Sequence, residues 1–479
     1  MNYSLANPEF GEFQNLSLAV ESPPPGAPAA LARPLFGPEI GPDPRNARQT
    51  VLIATEPTRQ GPRGIRFDFC FGFRVKIPGN GSPCELVVED DDSGMPIGRK
   101  VLQPGETATG ERKYFIRYRL KLRAVDEETP FWDYRFDCRG ETVCIIIPDG
   151  GLGDNLAWMP YAERFRTFHG AKVRCIAGEW LIRLVKSEYP ELEFVPIGRI
   201  SGKITDAYAI YFCAIFGPDR RAWRPIDHQQ LGMQRSVAAI LGLPLDEEPV
   251  IRLAPTPGGR PIPGPYVCIS TLATNPAKHW NYPDGWNRII RYLKRIGYRV
   301  AVIDRDRELD CGPLHCRVPE EAEDFTGVRP LAERIAMLRQ AEFFIGLPSG
   351  LSWLAWACDI PVVLISGFSM PNCEFPTPYR VTNYHFCHGC WNDSGCFFDM
   401  TAPVWCPRHL GTPREIECTR MISPRMVKRA IDRIPAVAAR LAKFSEPPFC
   451  EDCGDEPEPA EPEAPRKASR KAPPTASRG

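Results

Sequence analysis

A carboxylate stands inside a glycine-rich turn in the first half of the chain. Residues 148–156 read Pro-Asp-Gly-Gly-Leu-Gly-Asp-Asn-Leu and follow an apolar run. This pattern predicts a strand, a turn that approaches a ligand closely through Gly151 and Gly153, and a helix that begins near Leu156. Because a carboxylate repels phosphate, Asp154 is better suited to take a proton from a substrate hydroxyl. The alternative is that Asp154 only N-caps the helix.

Two later turns have the residues for binding a diphosphate. Lys278 follows the apolar segment 266–270, where an ammonium can reach a phosphate as a point charge. Ser349 and Gly350 follow another apolar segment and begin a predicted helix, whose free amides suit an anion. Each turn has an ordinary explanation as well, a solvated lysine or a helix cap. Together, at corresponding strand ends, they predict a nucleotide-diphosphate site that faces Asp154.

Cysteine spacing in the last third of the chain indicates a metal site. Cys387 and Cys390 form a CxxC pair, and Cys406 and Cys418 are far enough along the chain to fold back onto it. Four thiolates complete a tetrahedral site for Zn or Fe and leave no position open for substrate, so we expect a structural role. Cys396 competes for one ligand position, and unrelated buried thiols are the remaining alternative.

Length and composition set limits on the class of protein. The chain has 479 residues, 43% hydrophobic and 25% charged, which is ordinary for roughly three globular domains. Its 59 basic and 59 acidic side chains leave no net charge, which argues against nucleic-acid binding. Neither a membrane span of ~20 apolar residues nor a secretory signal is visible, so we expect no membrane insertion and a cytoplasmic protein with reduced thiols.

Strand and helix patterns indicate how these residues are positioned. Apolar and polar residues largely alternate at 65–69 and 114–120, which predicts a small β-rich domain over 61–141. Strands then alternate with helices over 142–257 and again over 258–380. This is typical of two α/β Rossmann-like units whose strand ends face a shared cleft. The other predicted parts are a mobile Pro/Gly-rich N-terminus, a four-cysteine finger, a helical segment and a disordered tail, at 1–60, 381–422, 423–445 and 446–479.

The turns at the predicted cleft resemble those of a known family. Asp154 after its glycine, Lys278 before His-Trp, and the run Ser-Gly-Leu-Ser-Trp-Leu-Ala at 349–355 are similar to the GT-B heptosyltransferases of bacteria. Their signature in the last run is Thr-Gly-Leu-Ser-His-Leu-Ala. A serine replaces the threonine here and Trp353 replaces the histidine, so the chain departs from the typical lipopolysaccharide-core enzyme.

The cysteine segment carries a sharper resemblance. Phe-Cys-His-Gly-Cys-Trp-Asn-Asp at 386–393, with Trp-Cys-Pro at 405–407 and Glu-Cys-Thr at 417–419, is similar to the bacterial autotransporter heptosyltransferases, which modify serines of autotransporter adhesins. This resemblance covers most of residues 65–440. It implies ADP-heptose as donor, an autotransporter passenger domain as acceptor, one structural iron per chain in the finger, and assembly into a homo-oligomeric ring.

The resemblance also implies roles for the candidate residues. Asp154 would be the general base of an inverting transfer, and Lys278 with the turn at Ser349 would neutralise the diphosphate, so no catalytic divalent metal is expected. Phe368 and Ser369 would border the sugar. The further residues expected to bind substrate are Gly151, Gly153, Thr326, Gly327, Gly350, Leu351 and Ser352.

Several alternatives remain open at this point. A lipopolysaccharide-core-type heptosyltransferase or a non-catalytic nucleotide-binding or metal-finger scaffold would share much of this pattern. An oxidoreductase would use the glycines at 150–153 to bind a dinucleotide, but their spacing is imperfect. The DxD motif at Asp304 and Asp306 has the form of a Mn²⁺ site, although a charged strand-end loop fits better. A second CxxC pair, Cys450 and Cys453, has no partner ligands in the acidic tail.

Overall fold

The computed structural model describes residues 52–443 except for 149, 198–202, 214, 216–219, 257–258, 312–313, 397, 399–401 and 403. Most of the predicted mobile N-terminus, the whole of the predicted tail, and the pair Cys450 and Cys453 therefore lie outside the described residues. Within the described part, two α/β units each contain a sheet with a parallel core. No described helix is long and apolar enough to cross a bilayer.

Nine strands precede the first α/β unit. They are β1 (Leu52–Ile53), β2 (Arg59–Gln60), β3 (Arg66–Cys70), β4 (Arg74–Lys76), β5 (Cys84–Asp90), β6 (Pro96–Leu102), β7 (Thr107–Thr109), β8 (Tyr118–Ala124) and β9 (Trp132–Arg135). The first unit follows with β10 (Thr142–Ile146), α1 (Leu152–Trp158), α2 (Pro160–His169), β11 (Lys172–Ala177), α3 (Glu179–Val185), β12 (Glu193–Pro196), β13 (Lys203–Ile204), β14 (Ala209–Phe212), α4 (Arg220–Trp223), α5 (His228–Leu231) and α6 (Met233–Ile240).

The β-rich segment is joined to the first unit through a shared sheet. That sheet has the order β12-β11-β10-β14-β3-β4-β7, with β2 also paired to β3. β3 runs parallel to β14, whereas β4 and β7 extend the edge antiparallel. The strands β6-β5-β8-β9 form a separate antiparallel sheet, whose inward side chains join the same apolar core as the first unit. The predicted β content is therefore present, and the boundary near residue 141 stays a prediction because the core crosses it.

One predicted strand is shorter than its pattern. Alternation begins at Tyr114, but β8 begins at Tyr118. The reason is Phe115, whose amide donates to the carbonyl of Ile240 at 2.8 Å and whose ring stacks on His169. This segment packs across the first unit instead of pairing in a sheet.

The second unit begins after a Pro/Gly-rich stretch. Its elements are β15 (Tyr266–Ile269), α7 (Gly285–Arg295), β16 (Arg299–Val302), β17 (Glu308–Cys311), β18 (Leu314–Arg317), β19 (Glu323–Asp324), α8 (Leu331–Gln340), β20 (Phe344–Gly346), α9 (Gly350–Ala357), β21 (Val362–Ile365) and β22 (Arg380–Val381). Six strands form a parallel sheet in the order β19-β16-β15-β20-β21-β22, and β17 and β18 form a separate hairpin. The chain continues into α10 (Glu417–Arg420), α11 (Pro424–Asp432) and α12 (Pro435–Leu441).

The strand orders locate a crevice in each unit. In the first sheet, β10 lies between β11 and β14. The strands that follow β10 in the chain add first on one side of it and later on the other, so the strand order reverses at β10. In the second sheet, β15 lies between β16 and β20 in the same way. Ligands of open α/β sheets bind at the carboxyl ends of strands at such reversals. The turns after β10, β15 and β20 are the segments in which the sequence places Asp154, Lys278 and Ser349.

Candidate active site and metal finger

Asp154 lies in the first turn of α1, directly after the central strand of the first sheet. The helix begins at Leu152, earlier than the predicted start near Leu156, and its N-cap is Gly151. The N-cap residue is therefore Gly151 and not Asp154. Instead, its carboxylate accepts the backbone N–H of Gly151 from the third helical position, as acidic residues do in a capping box. The side chain is half-buried, so part of it stays accessible from the cleft.

The protonation of Asp154 is set by two opposing effects. Burial raises the pKa of its carboxyl to about 6, while the positive charge of Lys278 and the Gly151 N–H act to lower it. A carboxylate with this pKa is ionised at neutral pH and is more basic than an exposed aspartate. That combination suits a general base.

Gly153 serves helix packing, and Gly151 does not adopt a left-handed conformation. Gly151 has φ −58° and Gly153 lies within α1. A Cβ on Gly153 would stand 2.8 Å from Trp353 Cδ1, and one on Gly350 would stand 2.8 Å from Leu152 Cβ. Only glycine lets α1 and α9 approach this closely. The N-terminal ends of the two helices therefore meet across the cleft.

Lys278 ends a short 3-10 helix after β15 and faces Asp154. The helix spans Pro276–Lys278 and is capped by the side chain of Asn275. Burial lowers the pKa of the lysine ammonium, and the negative charges of Asp154 and Glu374 counteract that effect. The ammonium also lies 5.3 Å from the centroid of the Phe368 ring. A positive charge is thus held at the crevice, opposite the candidate base.

The two residues after Lys278 have structural contacts. His279 Nε2 lies 2.9 Å from the backbone nitrogen of Ala273, and the Trp280 indole donates to the carbonyl of Ile422 at 2.7 Å. These bonds fix the turn that presents Lys278. The motif therefore consists of a cation that faces the cleft, Lys278, and two residues that hold the turn in place, His279 and Trp280.

Ser349 provides an unsatisfied hydroxyl at the same crevice. It is the N-cap residue of α9, yet its side chain makes no capping bond. Its Oγ is buried and has no hydrogen-bond partner among the described residues. By contrast, Ser352 Oγ donates to the carbonyl of Leu347 at 2.5 Å, and Leu351 packs against the core. Ser349 Oγ therefore keeps unused hydrogen-bonding capacity, whereas Ser352 and Leu351 support the turn.

Thr326 and Gly327 lie at the same sheet edge but farther from Lys278. They follow β19, which is separated from β15 by β16. The Thr326 hydroxyl donates to Asp324 at 2.6 Å, and Gly327 adopts φ 112°, which other residues rarely tolerate. The two residues lie at the sheet edge where the far end of the nucleotide site is predicted.

The DxD motif has a saturated carboxylate. Asp304 is buried and accepts bonds from Ser270 Oγ at 2.6 Å, from the Thr271 amide at 2.7 Å and from the Thr271 hydroxyl at 3.2 Å. It holds the turn after β15. This geometry favours the interpretation of the motif as a strand-end loop over that of a Mn²⁺ site.

A buried ion pair near Lys278 escaped the sequence analysis. Glu374 accepts Arg380 Nη1 at 2.7 Å and the Ser369 hydroxyl at 2.5 Å, and both charged side chains are almost inaccessible. Ser369 is thereby committed to the protein. No motif in the sequence marks this pair, although its members are only six residues apart in the chain.

The four predicted cysteine ligands line one cavity. Cys387 and Cys390 lie in one segment, Cys406 in a later loop and Cys418 in α10, and the cavity also includes Phe368, Trp405 and Gly367. Burial, and after it the charge of neighbouring thiolates, raises the pKa of Cys390 and of Cys418, which is consistent with the convergence of the four cysteines. A soft divalent or trivalent ion fits this donor set, since thiolates are the preferred ligands of Zn and Fe at tetrahedral sites. The lining cysteines are Cys387, Cys390, Cys406 and Cys418.

Two further donors stand at this cavity and were missed from the sequence. His409 and Glu417 bring ligand atoms within 4.8 Å of one another and of Cys387 Sγ. Glu417, however, is engaged with Arg414 at 2.5 and 2.8 Å and with the Cys387 amide at 3.0 Å, which orients the loop. Cys396 is not among the residues that line the cavity. Two sets of donor atoms therefore meet at this cavity, and the four thiols are the larger set.

Comparison with known proteins identifies relatives that span most of the chain. A profile of glycosyltransferase family 9 (heptosyltransferase) matches residues 244–395. The autotransporter heptosyltransferase TibC of Escherichia coli O78:H11 is 43% identical over 379 residues, which are 79% of this chain and 91% of TibC. The inactive autotransporter heptosyltransferase BimC of Burkholderia thailandensis is 36% identical over 423 residues, 88% of this chain and 97% of BimC.

Solved structures agree with these relatives. The crystal structure of TibC, an iron-containing dodecameric glycosyltransferase, superimposes with a TM-score of 0.76 at 40% identity, covering 81% of this chain and all of TibC. A second TibC structure, in complex with ADP-D-beta-D-heptose, gives a TM-score of 0.75 at 41% identity and covers 80% of this chain and 99% of TibC. The predicted GT-B architecture is confirmed. Identity and coverage at this level place the chain among the autotransporter heptosyltransferases.

Proposed function

We propose that the chain transfers heptose from ADP-heptose to serine side chains of an autotransporter passenger domain, with inversion at the anomeric carbon. The observation that carries the proposal is the pairing of Asp154 with Lys278 across the cleft, from opposite units. A base and a cation that face each other can act on the attacking hydroxyl and on the leaving diphosphate of one displacement. The ADP-heptose complex of the relative TibC supports the donor.

The donor side uses the second unit. Lys278 meets the charge that develops on the departing diphosphate, and the free hydroxyl of Ser349 at the N-terminus of α9 donates to it. Thr326 and Gly327 lie where the nucleoside extends away from the crevice. Asp304 maintains the turn and does not bind metal, so the transfer proceeds without a catalytic divalent ion.

The acceptor side uses the first unit. Asp154 takes the proton of the serine hydroxyl as its oxygen attacks the anomeric carbon from the face opposite the diphosphate. The proton moves to the carboxylate, the C–O bond to the diphosphate breaks, and a new bond forms to the serine oxygen. One displacement with one base inverts the anomeric configuration.

The test is co-expression with an autotransporter passenger domain in a bacterium that makes ADP-heptose. Mass spectrometry of passenger peptides is expected to find heptose on serines with the wild-type chain and none with Asp154→Asn. NMR of a released glycopeptide reads the anomeric configuration. An unmodified passenger beside wild-type chain that binds ADP-heptose would overturn the proposal.

A binding protein without transfer is the second candidate, because the similar protein BimC is named inactive. Such a protein would bind the nucleotide sugar or assemble without chemistry. The basic, cleft-facing carboxylate of Asp154 favours the enzyme, since binding of a diphosphate gains nothing from it. The same mass-spectrometric assay separates the two.

We also propose that Cys387, Cys390, Cys406 and Cys418 hold one structural ion per chain, iron in the family's pattern, with zinc as the chemical alternative. The iron content of TibC supports the choice of metal. The ion would tie the 387–390 loop to the start of α10 and close a long connection. Reduced thiols are required for this, a condition that the bacterial cytoplasm provides.

Elemental analysis of purified variants tests the ligand set. Cys406→Ser is expected to lose the metal together with solubility or assembly, whereas Cys396→Ser keeps it. His409→Ala distinguishes the two donor sets, since it retains metal if the four thiols are the ligands. Metal-free wild-type protein, or full retention in Cys406→Ser, would remove the finger from the proposal.

A homo-oligomer is the last part of the proposal. TibC is dodecameric, and this chain superimposes on all of it. Light scattering after size-exclusion chromatography is expected to give a mass of many chains. A monomer in the metal-loaded protein would contradict the expectation.

A further inference from the structure

We propose that Phe368 is a positioning residue whose ring holds the Lys278 ammonium in place for the donor diphosphate. The inference rests on the proposed function, because it takes Lys278 as the cation that meets the diphosphate. Lys278 Nζ lies 5.3 Å from the ring centroid, inside the ~6 Å over which an aromatic face attracts a cation. Phe368 is 4% exposed, so little water weakens that attraction.

The carboxylates near Lys278 are poorly suited to the same task. Glu374 is already bonded to Arg380 and Ser369, and Asp154 must stay free to accept a proton. A carboxylate paired with Lys278 would also compete with the diphosphate for the ammonium. An aromatic face attracts the ammonium without neutralising it, so the lysine keeps its charge for the ligand.

The ring itself is fixed by the metal finger. Phe368 lies 5.5 Å from both Trp391 and Trp405 and 6.1 Å from Phe398, measured between ring centroids. The Trp391 amide donates to the carbonyl of Phe368 at 3.2 Å. Three aromatic side chains of the finger segment thus surround one ring.

Phe368 is a shared wall between two sites. It lines the cavity of the four cysteines and lies beneath Lys278. Its neighbour Gly367 has no room for a side chain, because a Cβ there would overlap the carbonyl of Cys418. The finger is therefore packed directly against the residue that supports the diphosphate cation, and it contributes to donor binding through Phe368 although its own ligands do not touch the donor.

The test compares ADP with adenosine, which lacks the diphosphate, by calorimetry on metal-loaded protein. Phe368→Leu is expected to weaken ADP binding about tenfold, equal to ~1.4 kcal/mol, and to change adenosine binding less than about twofold. Phe398→Leu removes a ring of the same cluster that is not stacked on the lysine and is the matched control. Because Phe398 also packs against Phe368, some loss is expected, but the ratio of ADP to adenosine affinity should change less than it does in Phe368→Leu.

A fluorinated ring separates electrostatics from packing. Trifluorophenylalanine at position 368 keeps the ring's shape and weakens its negative face, so ADP binding is expected to fall by about threefold. In a Lys278→Met background, Phe368→Leu should have no further effect on the ratio of ADP to adenosine affinity. Metal content, measured alongside, should stay at the wild-type level.

The outcomes distinguish this inference from the proposed function. Equal losses for ADP and adenosine in Phe368→Leu, wild-type ADP affinity with the fluorinated ring, or the same loss in the Lys278→Met background would each overturn the role of the ring. If Lys278→Met itself leaves ADP affinity unchanged, the proposed donor site fails instead. If Phe368→Leu does not fold, the fluorinated variant carries the test, because its shape is nearly native.

Discussion

Two carboxylates, each just beyond the end of a parallel strand, differ in burial and in what they touch. Asp154 follows β10 in the first unit, and Asp304 follows β16 in the second. Burial raises the pKa of both carboxyls to about 6. Asp304 is 3% exposed and accepts bonds from the side chains and amides of the turn after β15. Asp154 accepts one backbone N–H, stays half-buried and faces the cleft.

The difference shows that a raised pKa alone does not identify a catalytic base. Both carboxyls have the basicity, but the oxygens of Asp304 are committed to holding a turn. Those of Asp154 keep accepting capacity toward the space in which a substrate hydroxyl would lie. Ser349 and Ser352 show the same contrast among hydroxyls: within the described part of the chain Ser349 Oγ has no partner, whereas Ser352 Oγ is bonded to a carbonyl. Unused hydrogen-bonding capacity at the crevice distinguishes residues that can act on a substrate from residues that hold the structure.

The largest effect is expected from Asp154→Asn. An amide cannot take the serine proton, so kcat should fall by about 10²-fold or more, while ADP binding stays near wild type. Rates of heptose transfer to a passenger peptide and calorimetry with ADP measure the two quantities. A variant that retains more than about a tenth of wild-type kcat would remove the distinction between the two carboxylates.

The pH profile is expected to give the next largest effect. Asp154 must be ionised to act, and its pKa is raised to about 6. Activity should therefore be constant above that pH and decline below it, to about a tenth at pH 5. The profile of kcat over pH 4.5 to 8, roughly, with circular dichroism as a control for unfolding, measures this. A plateau extending unchanged below about pH 5 would mean that an ordinary, exposed carboxyl or no carboxyl sets the rate.

Replacing the two serines should produce effects of different kinds. Ser349→Ala removes the free hydroxyl and is expected to weaken ADP binding by about tenfold, the value of a hydrogen bond to a charged group, with little change in stability. Ser352→Ala breaks the bond to Leu347 and is expected to reduce the free energy of unfolding by ~1 kcal/mol. Equal ADP affinities in the two variants would contradict the assignment of Ser349 to the donor site.

The smallest effect on chemistry is expected from Asp304→Asn. It loses one acceptor of the turn after β15, so the free energy of unfolding should fall by ~1–3 kcal/mol. At a temperature where the variant is folded, kcat should stay within about threefold of wild type. A loss comparable to that of Asp154→Asn, restored by added Mn²⁺, would instead make the DxD motif catalytic.

Much of the fold could be predicted from local patterns. The apolar segments after residue 142 are strands in the described structure, and helices follow them in both α/β units. Periodicity predicts such elements because each buries one face. It failed at Tyr114–Arg117, where Phe115 packs on His169 in another element. It also missed that β3 joins the first sheet, because the pairing partner of a strand is not encoded within the strand.

The candidate site residues likewise divide into those that local sequence signals predict and those that they do not. Asp154, Lys278, Ser349 and the cysteines could be found because glycine turns and CxxC spacing are local signals. The buried pair of Glu374 with Arg380, and the donors His409 and Glu417, could not, since nothing in their neighbouring residues marks them. They acquire a role only from side chains that are distant in sequence.

By itself, the sequence determined the chemistry that each turn can offer: a carboxylate beside glycines, a lysine and a serine after apolar strands, and four spaced thiols. The tertiary structure decided which of these groups remain free to react. Folding brings the charge of Lys278 beside Asp154, and the turn after β15 saturates Asp304. The physical reason is that burial and hydrogen-bond saturation are properties of the surrounding atoms, which the chain assembles from distant segments only when it folds.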